Sequence, residues 1–259
     1  MDNIQDWKTT DINVDSLWLI NKRISAGKHE NIYHGNFIPQ IPNQLIRRYT
    51  KENDLILELF SGSGTTLYEC ENLNRNYIGF DINREINDIV NQKMKNTNIK
   101  YCLNCSDVTD KVSFNSDLQN SLLCQKQKEV DFIIAHPPYM DIVKFTDLEA
   151  DLSNITDVDE FINKIVITFK NALIYLKKGK YFAVVMGDVY KQSEVVPLGF
   201  YVMNAIKSNF KVKTKGIIVK NIEGNRGKLG VQNIWKYRAL RSDYFLFKHE
   251  YIFIFKKEF

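Results

Sequence analysis

Cysteine, proline and glycine are all scarce in this 259-residue chain, with four, five and twelve copies. Four cysteines are too few for a disulfide framework at this length, which points to a reducing compartment. Cys102 and Cys105 form a C-x-x-C. They sit in NIKYCLNC, a strand running into a turn, with no second ligand pair, so plain buried thiols are expected and no metal site. So little proline and glycine excludes collagen-like and proline-rich classes. Mean hydropathy is -0.31 and no apolar run nears the ~20 residues a membrane helix needs, so no membrane-spanning segment is expected. The opening MDNIQDWKTTD has no basic stretch followed by an apolar one, which makes the cytoplasm the expected compartment. With 44% hydrophobic and 25% charged residues, the chain reads as a soluble globular protein of one main domain.

Net charge is only +4, but it is unevenly spread. Residues 211–259 hold 12 Lys or Arg against 4 Asp or Glu, leaving 23 against 27 in the first 210. A basic C-terminal end is a footprint for a polyanionic partner, and a lysine-rich solvated surface gives the same count.

Apolar runs recur between helical stretches at Asp54–Phe60, Tyr77–Asp81, Ile99–Leu103, Val130–Ala135, Tyr181–Gly187, Lys215–Lys220 and Glu250–Lys256. Helices are expected over Gly62–Asn74, then up to Met94, and from Asp157 to Leu176 with Thr156 or Asp157 as N-cap. Strands separated by helices require parallel crossovers. The expectation is therefore an α/β, Rossmann-like, seven-stranded and mostly parallel sheet with helices on both faces. The last two strands have no strong helix between them, which predicts an antiparallel end hairpin.

Two segments carry chemistry. Phe60-Ser-Gly-Ser-Gly-Thr-Thr66 joins a strand to a helix, where glycines let the backbone turn tightly against a ligand. It is not a P-loop, because no Lys follows the last glycine. Asp81 ends the next strand, where a carboxylate can accept from both hydroxyls of a ribose. Asp107, after the third strand, is similarly placed for an adenine amino group; either aspartate could instead cap a turn. The second segment is His136-Pro-Pro-Tyr139 at the end of DFIIA. Two prolines fix the backbone and remove two donors, leaving carbonyls free to accept from a substrate amine beside an aromatic ring.

LELFSGSGTT and AHPPY, in that order with YIGFDIN between, resemble the S-adenosylmethionine-dependent DNA amino-methyltransferases that modify adenine N6 or cytosine N4. The likeness extends to HGNFIPQIP upstream, with His34 and Phe37, and to the C-terminal HEYIFIFKK. It implies S-adenosylmethionine held by His34, Phe37, Glu58, Phe60, Gly62, Ser63, Gly64, Thr65, Asp81, Ile82, Asp107 and Val108. It implies catalysis by His136, Pro137, Pro138 and Tyr139. Residues 1–30 would form an N-terminal arm and 31–259 the catalytic domain. Double-stranded DNA would be the partner, with a cognate restriction endonuclease as companion.

Two positions depart from the family pattern. Glu58 stands where Asp is common and is expected to conserve charge and to face the methionine ammonium or its water shell. His136 stands where Asp, Asn or Ser is usual and can accept from the target amine only through an unprotonated nitrogen, so activity is expected to fall through the histidine titration range. Residues 221–246 are expected to form a DNA-binding insertion with Arg226, Lys228, Trp235, Lys236, Arg238 and Arg241. An RNA or protein amine methyltransferase, or a cofactor- and DNA-binding protein without turnover, are the alternatives.

Overall fold

The computed structural model describes residues 7–29, 35–222 and 232–259. At its centre lies a parallel block made of β2 (Leu55–Glu58), β3 (Asn76–Phe80), β4 (Tyr101–Asn104), β5 (Val130–Ala135) and β6 (Leu176–Met186). Every residue of β2 and β5 is buried, the pattern of strands covered on both faces. β10 (His249–Lys257) lies antiparallel between β6 and β9 (Val212–Asn221), and β1 (Leu17–Trp18) runs parallel to β9 at the edge. The spatial order is β1-β9-β10-β6-β5-β2-β3-β4.

All seven expected strands are present and the last two pair antiparallel, but the sheet has eight strands. The eighth, β1, is only two residues long and comes from the expected arm; its Trp18 is fully buried. A separate hairpin, β7 (Val189–Lys191) with β8 (Glu194–Val196), follows β6. A helix, α7 (Gln232–Arg241), lies in the connection between β9 and β10 where none was expected.

Helices cover both faces. One core packs β strands against α4 (Lys111–Gln125), α5 (Val158–Leu173) and α6 (Leu198–Asn209). The other packs them against α1 (Gln40–Tyr49), α2 (Thr65–Asn72) and α3 (Arg84–Lys93). Local chemistry sets the helix starts. Asn83, Asp110 and Asp157 accept hydrogen bonds from first-turn amides of α3, α4 and α5, satisfying donors that a helix start otherwise leaves open. The helix expected to reach Leu176 stops at Leu173, because Leu176 already pairs with Val130 in β6. The C-x-x-C thiols expected to be buried are not: Cys102 and Cys105 are half-buried, because β4 is the edge strand and no residue of it is fully covered, while Cys70 is buried and Cys124 exposed. No helix among the described residues is long and apolar enough to cross a membrane.

The chain leaves β2 for β3 and β4 on one side and returns through β5 on the other. Such a reversal in strand order opens a crevice beyond the carboxyl ends of the strands.

Candidate active site at the carboxyl rim of the sheet

That crevice is a cleft of about 1060 Å³, counting its open mouth. Its floor and walls come from the ends of four adjacent strands: Glu58 to Gly62 after β2, Asp81 and Ile82 after β3, Ser106 to Val108 after β4, and His136 to Tyr139 after β5. Phe37 and Thr65 complete the expected positions that line it. Ser63 and Gly64 are buried at the start of α2 and do not line it; His34 lies outside the described residues.

The glycine loop is held by the aspartate expected to meet a ribose. Asp81 accepts from the Gly62 amide at 2.8 Å and from the Asn83 amide at 2.9 Å, one bond to each carboxylate oxygen. Burial raises its pKa, opposed by those two amides. Gly64 caps α2 at φ 81, a left-handed conformation that side chains rarely adopt. A Cβ there would also lie 2.8 Å from Val90 Cγ1. Asp107 accepts from the Thr109 amide and hydroxyl at 2.7 and 2.8 Å, so its carboxylate already closes a local turn.

Glu58 is 1% exposed and hydrogen-bonded by the Thr66 and Tyr77 hydroxyls. Desolvation pushes its carboxyl up to about 8, against the opposing effect of those two bonds. The expected conserved negative charge is therefore absent at neutral pH in the ligand-free chain: Glu58 is mostly protonated.

His136 is the mirror case. Burial lowers it to about 4, with the nearby Glu250 carboxylate opposing the shift, so the ring is neutral far below the ordinary histidine range. The expectation of a titration near 6.5 moves accordingly to about 4. Phe37 meets the His136 ring edge-on at 4.9 Å, joining the upstream segment to the proline corner. His136 Nε2 lies 3.2 Å from the Tyr139 hydroxyl, which donates to Glu250 at 3.1 Å. The next residue, Met140, is fully buried at φ 53, in a region sparsely used by non-glycine residues. It turns the chain into the wall formed by Ile142, Val143, Phe145 and Thr146.

Sequence reasoning missed several participants. Gly187 faces the Tyr139 ring, and a Cβ there would lie 2.7 Å from Tyr139 Cε2. Gly35 admits Phe145 in the same way, with Cζ 2.7 Å from a Cβ position. Asn36 donates to Ser63, tying the upstream segment to the glycine loop. Ser61 and Ser106, both in the cleft wall, have buried hydroxyls with no partner among the described residues.

The basic residues lie elsewhere. Lys236, Arg238 and Arg241 are exposed on α7, together with Ile234, Tyr237 and Leu240, and Arg241 donates to the Tyr237 hydroxyl at 2.7 Å. Trp235 falls on the same helix. Arg226 and Lys228 lie outside the described residues. Past α7, the Tyr244 ring packs at a tilt against Tyr190 of β7, centroids 5.1 Å apart, and Lys191 of the same hairpin binds Asp141 beside the proline corner at 2.8 Å. The basic helix is thus linked through the hairpin to the turn that succeeds Tyr139.

Residues 1–92 match the family model for N6/N4-type DNA methylases. Among curated relatives, the type II methyltransferase M.MjaII of Methanocaldococcus jannaschii is 44% identical over 50 residues, 19% of this chain and 9% of that protein. M.XycI of Xanthomonas campestris pv. cyanopsidis is 30% identical over 83 residues, 32% of this chain and 26% of that protein. The matches thus span well under a third of those relatives' lengths. Among solved structures, TrmN of Thermus thermophilus aligns over 86% of this chain and 50% of its own at a TM-score of 0.52 and 14% identity. SMU.1697c of Streptococcus mutans, solved in complex with SAH, aligns over 84% and 96% at 0.51 and 13%. At such identities these structures establish the Rossmann-like fold.

Proposed function

We propose that this chain, whose first 92 residues match the N6/N4 DNA-methylase family, methylates an exocyclic amino group of DNA, adenine N6 or cytosine N4. The observation that carries the reading is the meeting of the glycine loop and the His136–Tyr139 corner in one cleft, at the ends of neighbouring strands β2 and β5.

The cleft suits S-adenosylmethionine. Ser61 and Ser106 offer unspent hydroxyls, Asp81 and Asp107 offer carboxylates at consecutive strand ends, and Phe60, Ile82 and Val108 offer apolar walls for a flat base. Bound there, the cofactor would supply an electrophilic methyl group on sulfonium. Glu58 would return to the carboxylate beside a cationic ligand, since a nearby positive charge favours the ionised form.

The amine side falls to the proline corner. Pro137 and Pro138 carry no N–H, so the corner presents acceptors. A neutral imidazole at His136 accepts a hydrogen bond from an amino group, where a protonated ring would repel it. Hydrogen bonds accepted from the amine strengthen as positive charge develops on its nitrogen, so they favour the transition state over the ground state. A base stacked in a duplex cannot enter such a cleft and would have to be flipped out. We assign phosphate contacts to Lys236, Arg238 and Arg241 on α7, with Arg226, Lys228 and Trp235 in the same segment, and a cognate endonuclease is part of this reading.

Incubation with S-adenosylmethionine labelled in the methyl group, with duplex DNA, RNA and protein as acceptors, tests the proposal. Label in DNA, recovered as N6-methyladenine or N4-methylcytosine, is expected. Label only in RNA or protein, or cofactor binding without transfer, would overturn it.

A further inference from the structure

A chain of polar contacts runs behind His136 into the sheet. Glu250 and Lys220 are directly opposed in the β9–β10 register, are 7% and 4% exposed, and pair at 3.1 Å. Lys220 occupies Glu250 Oε1, and Oε2 receives the Tyr139 hydroxyl at 3.1 Å. Burial and the adjacent Glu250 carboxylate hold the Tyr139 hydroxyl well above its usual range, so it keeps its proton. Besides the Gly187 amide, which can only donate to its oxygen, that hydroxyl has one hydrogen and two neighbours able to take it, Glu250 Oε2 and His136 Nε2. An ionised carboxylate can only accept, so it takes the hydrogen. The hydroxyl oxygen then faces His136 Nε2 with a lone pair, and Nε2 must be the N–H nitrogen. A neutral imidazole has one N–H, so Nδ1 is bare. Nδ1 bonds to no described residue, on a half-buried side chain that lines the cleft.

We propose that Glu250 is a positioning residue: through the Tyr139 hydroxyl it fixes the His136 proton on Nε2 and leaves Nδ1 as the acceptor that meets the target amine. A buried ion pair contributes little net stability for its desolvation cost, which suits a role in orientation. The role of Nδ1 towards the amine rests on the proposed function; the tautomer does not.

The test is the His136 tautomer in the intact ligand-free protein, read by long-range 1H–15N correlation at pH 7. Of the chain's four histidines, His136 is assigned from the resonance lost in His136→Asn. The wild type is expected to show a single Nε2–H form. In Glu250→Gln, Lys220 keeps the amide oxygen and the amide NH2 turns to Tyr139. The Tyr139 hydroxyl then reverses and donates to His136 Nε2, and the proton appears on Nδ1. With methyl transfer to DNA as the second readout, kcat should fall at least about 100-fold while KM for S-adenosylmethionine stays unchanged. If Glu250→Gln fails to fold, Tyr139→Phe removes the relay and should give a mixture of both tautomers.

A wild-type proton on Nδ1, or an unchanged tautomer in both variants, overturns the proposal. An inverted tautomer with undiminished kcat overturns the positioning role. The expected tautomers without any DNA methylation would instead refute the proposed function and leave the relay standing.

Discussion

Replacing Glu58 by glutamine should stabilise the ligand-free chain above neutral pH. Glutamine reproduces the shape and donor–acceptor pattern of the protonated carboxyl that Thr66 and Tyr77 hold. In the wild type the folded-state pKa of about 8 lies above the ordinary 4.5. Between those values the folded chain binds more protons than the unfolded one, so stability is greatest below about pH 4.5 and falls as pH rises through about 8. At 1.36 kcal/mol per pKa unit the whole window amounts to roughly 5 kcal/mol, of which about 1.5 falls between pH 6.5 and 8. Melting curves of wild type and Glu58→Gln should therefore diverge over that interval by about 3–6 °C, the variant melting higher at pH 8. His136 acts equally in both proteins and cancels. Binding S-adenosylmethionine at pH 7 should release close to one proton in the wild type and none from this site in the variant, measured by calorimetry in buffers of different ionisation heat. Parallel melting curves across this range would refute a buried, neutral Glu58.

His136 titrates at about 4, so roughly nine-tenths of it is neutral at pH 5. Initial methylation rates at pH 5 and 7 should agree within about 2-fold for this group, and a half-activity point at 6.5 would contradict its burial. Gly64→Ala adds a left-handed alanine and a 2.8 Å contact with Val90, which should cost about 2–4 kcal/mol in chemical denaturation; a loss below about 0.5 would show that the loop relaxes freely. Gly187→Ala presses on the Tyr139 ring and should lower turnover at least about 10-fold with cofactor affinity within about 2-fold, measured by kinetics and calorimetry. Replacing Lys236, Arg238 and Arg241 together by alanine should reduce the salt slope of DNA binding by about 2–3, read by fluorescence anisotropy, and an unchanged slope would remove α7 from the interface.

The parallel strands were readable because both faces are covered, so DLILELF and VDFIIA appear as unbroken apolar runs. The cleft was readable because its two chemical segments are strand-end sequences, and strand ends in such a fold converge. The elements that escaped reading depend on distant partners. β1 is two residues that pair with β9, some 200 positions later. In α4, Phe114, Leu118 and Leu122 are buried while Val112 and Leu123 are exposed, so no clean apolar stripe marks the helix. In α7 the apolar Ile234 and Leu240 face solvent, so the helix has no core-facing periodicity to reveal it. Glu250 and Lys220 did carry a signal. Each is a charged residue abutting an apolar run, Ile217–Val219 in β9 and Tyr251–Phe255 in β10, and a buried charge requires a partner.

The two departures from the family's motif pattern share one physical consequence. Glu58 is buried and protonated, and His136 is half-buried and deprotonated by desolvation, so each position is neutral at pH 7 through opposite proton choices. Ionised, Glu58 would add a further negative charge to a cleft already lined by Asp81, Asp107 and Asp151, and Asp81 already raises it. Protonated, His136 would set a cation where the proposed reaction brings together an amino group and a cationic methyl donor. Burial removes both conflicts before any ligand arrives. The two groups differ in their response to that ligand: a cationic molecule can draw the proton from Glu58, whereas nothing in the proposed reaction restores one to His136 before transfer. Cofactor affinity should therefore carry the pH dependence of Glu58 near 8, and turnover that of His136 near 4, so the two profiles separate in a single pH series.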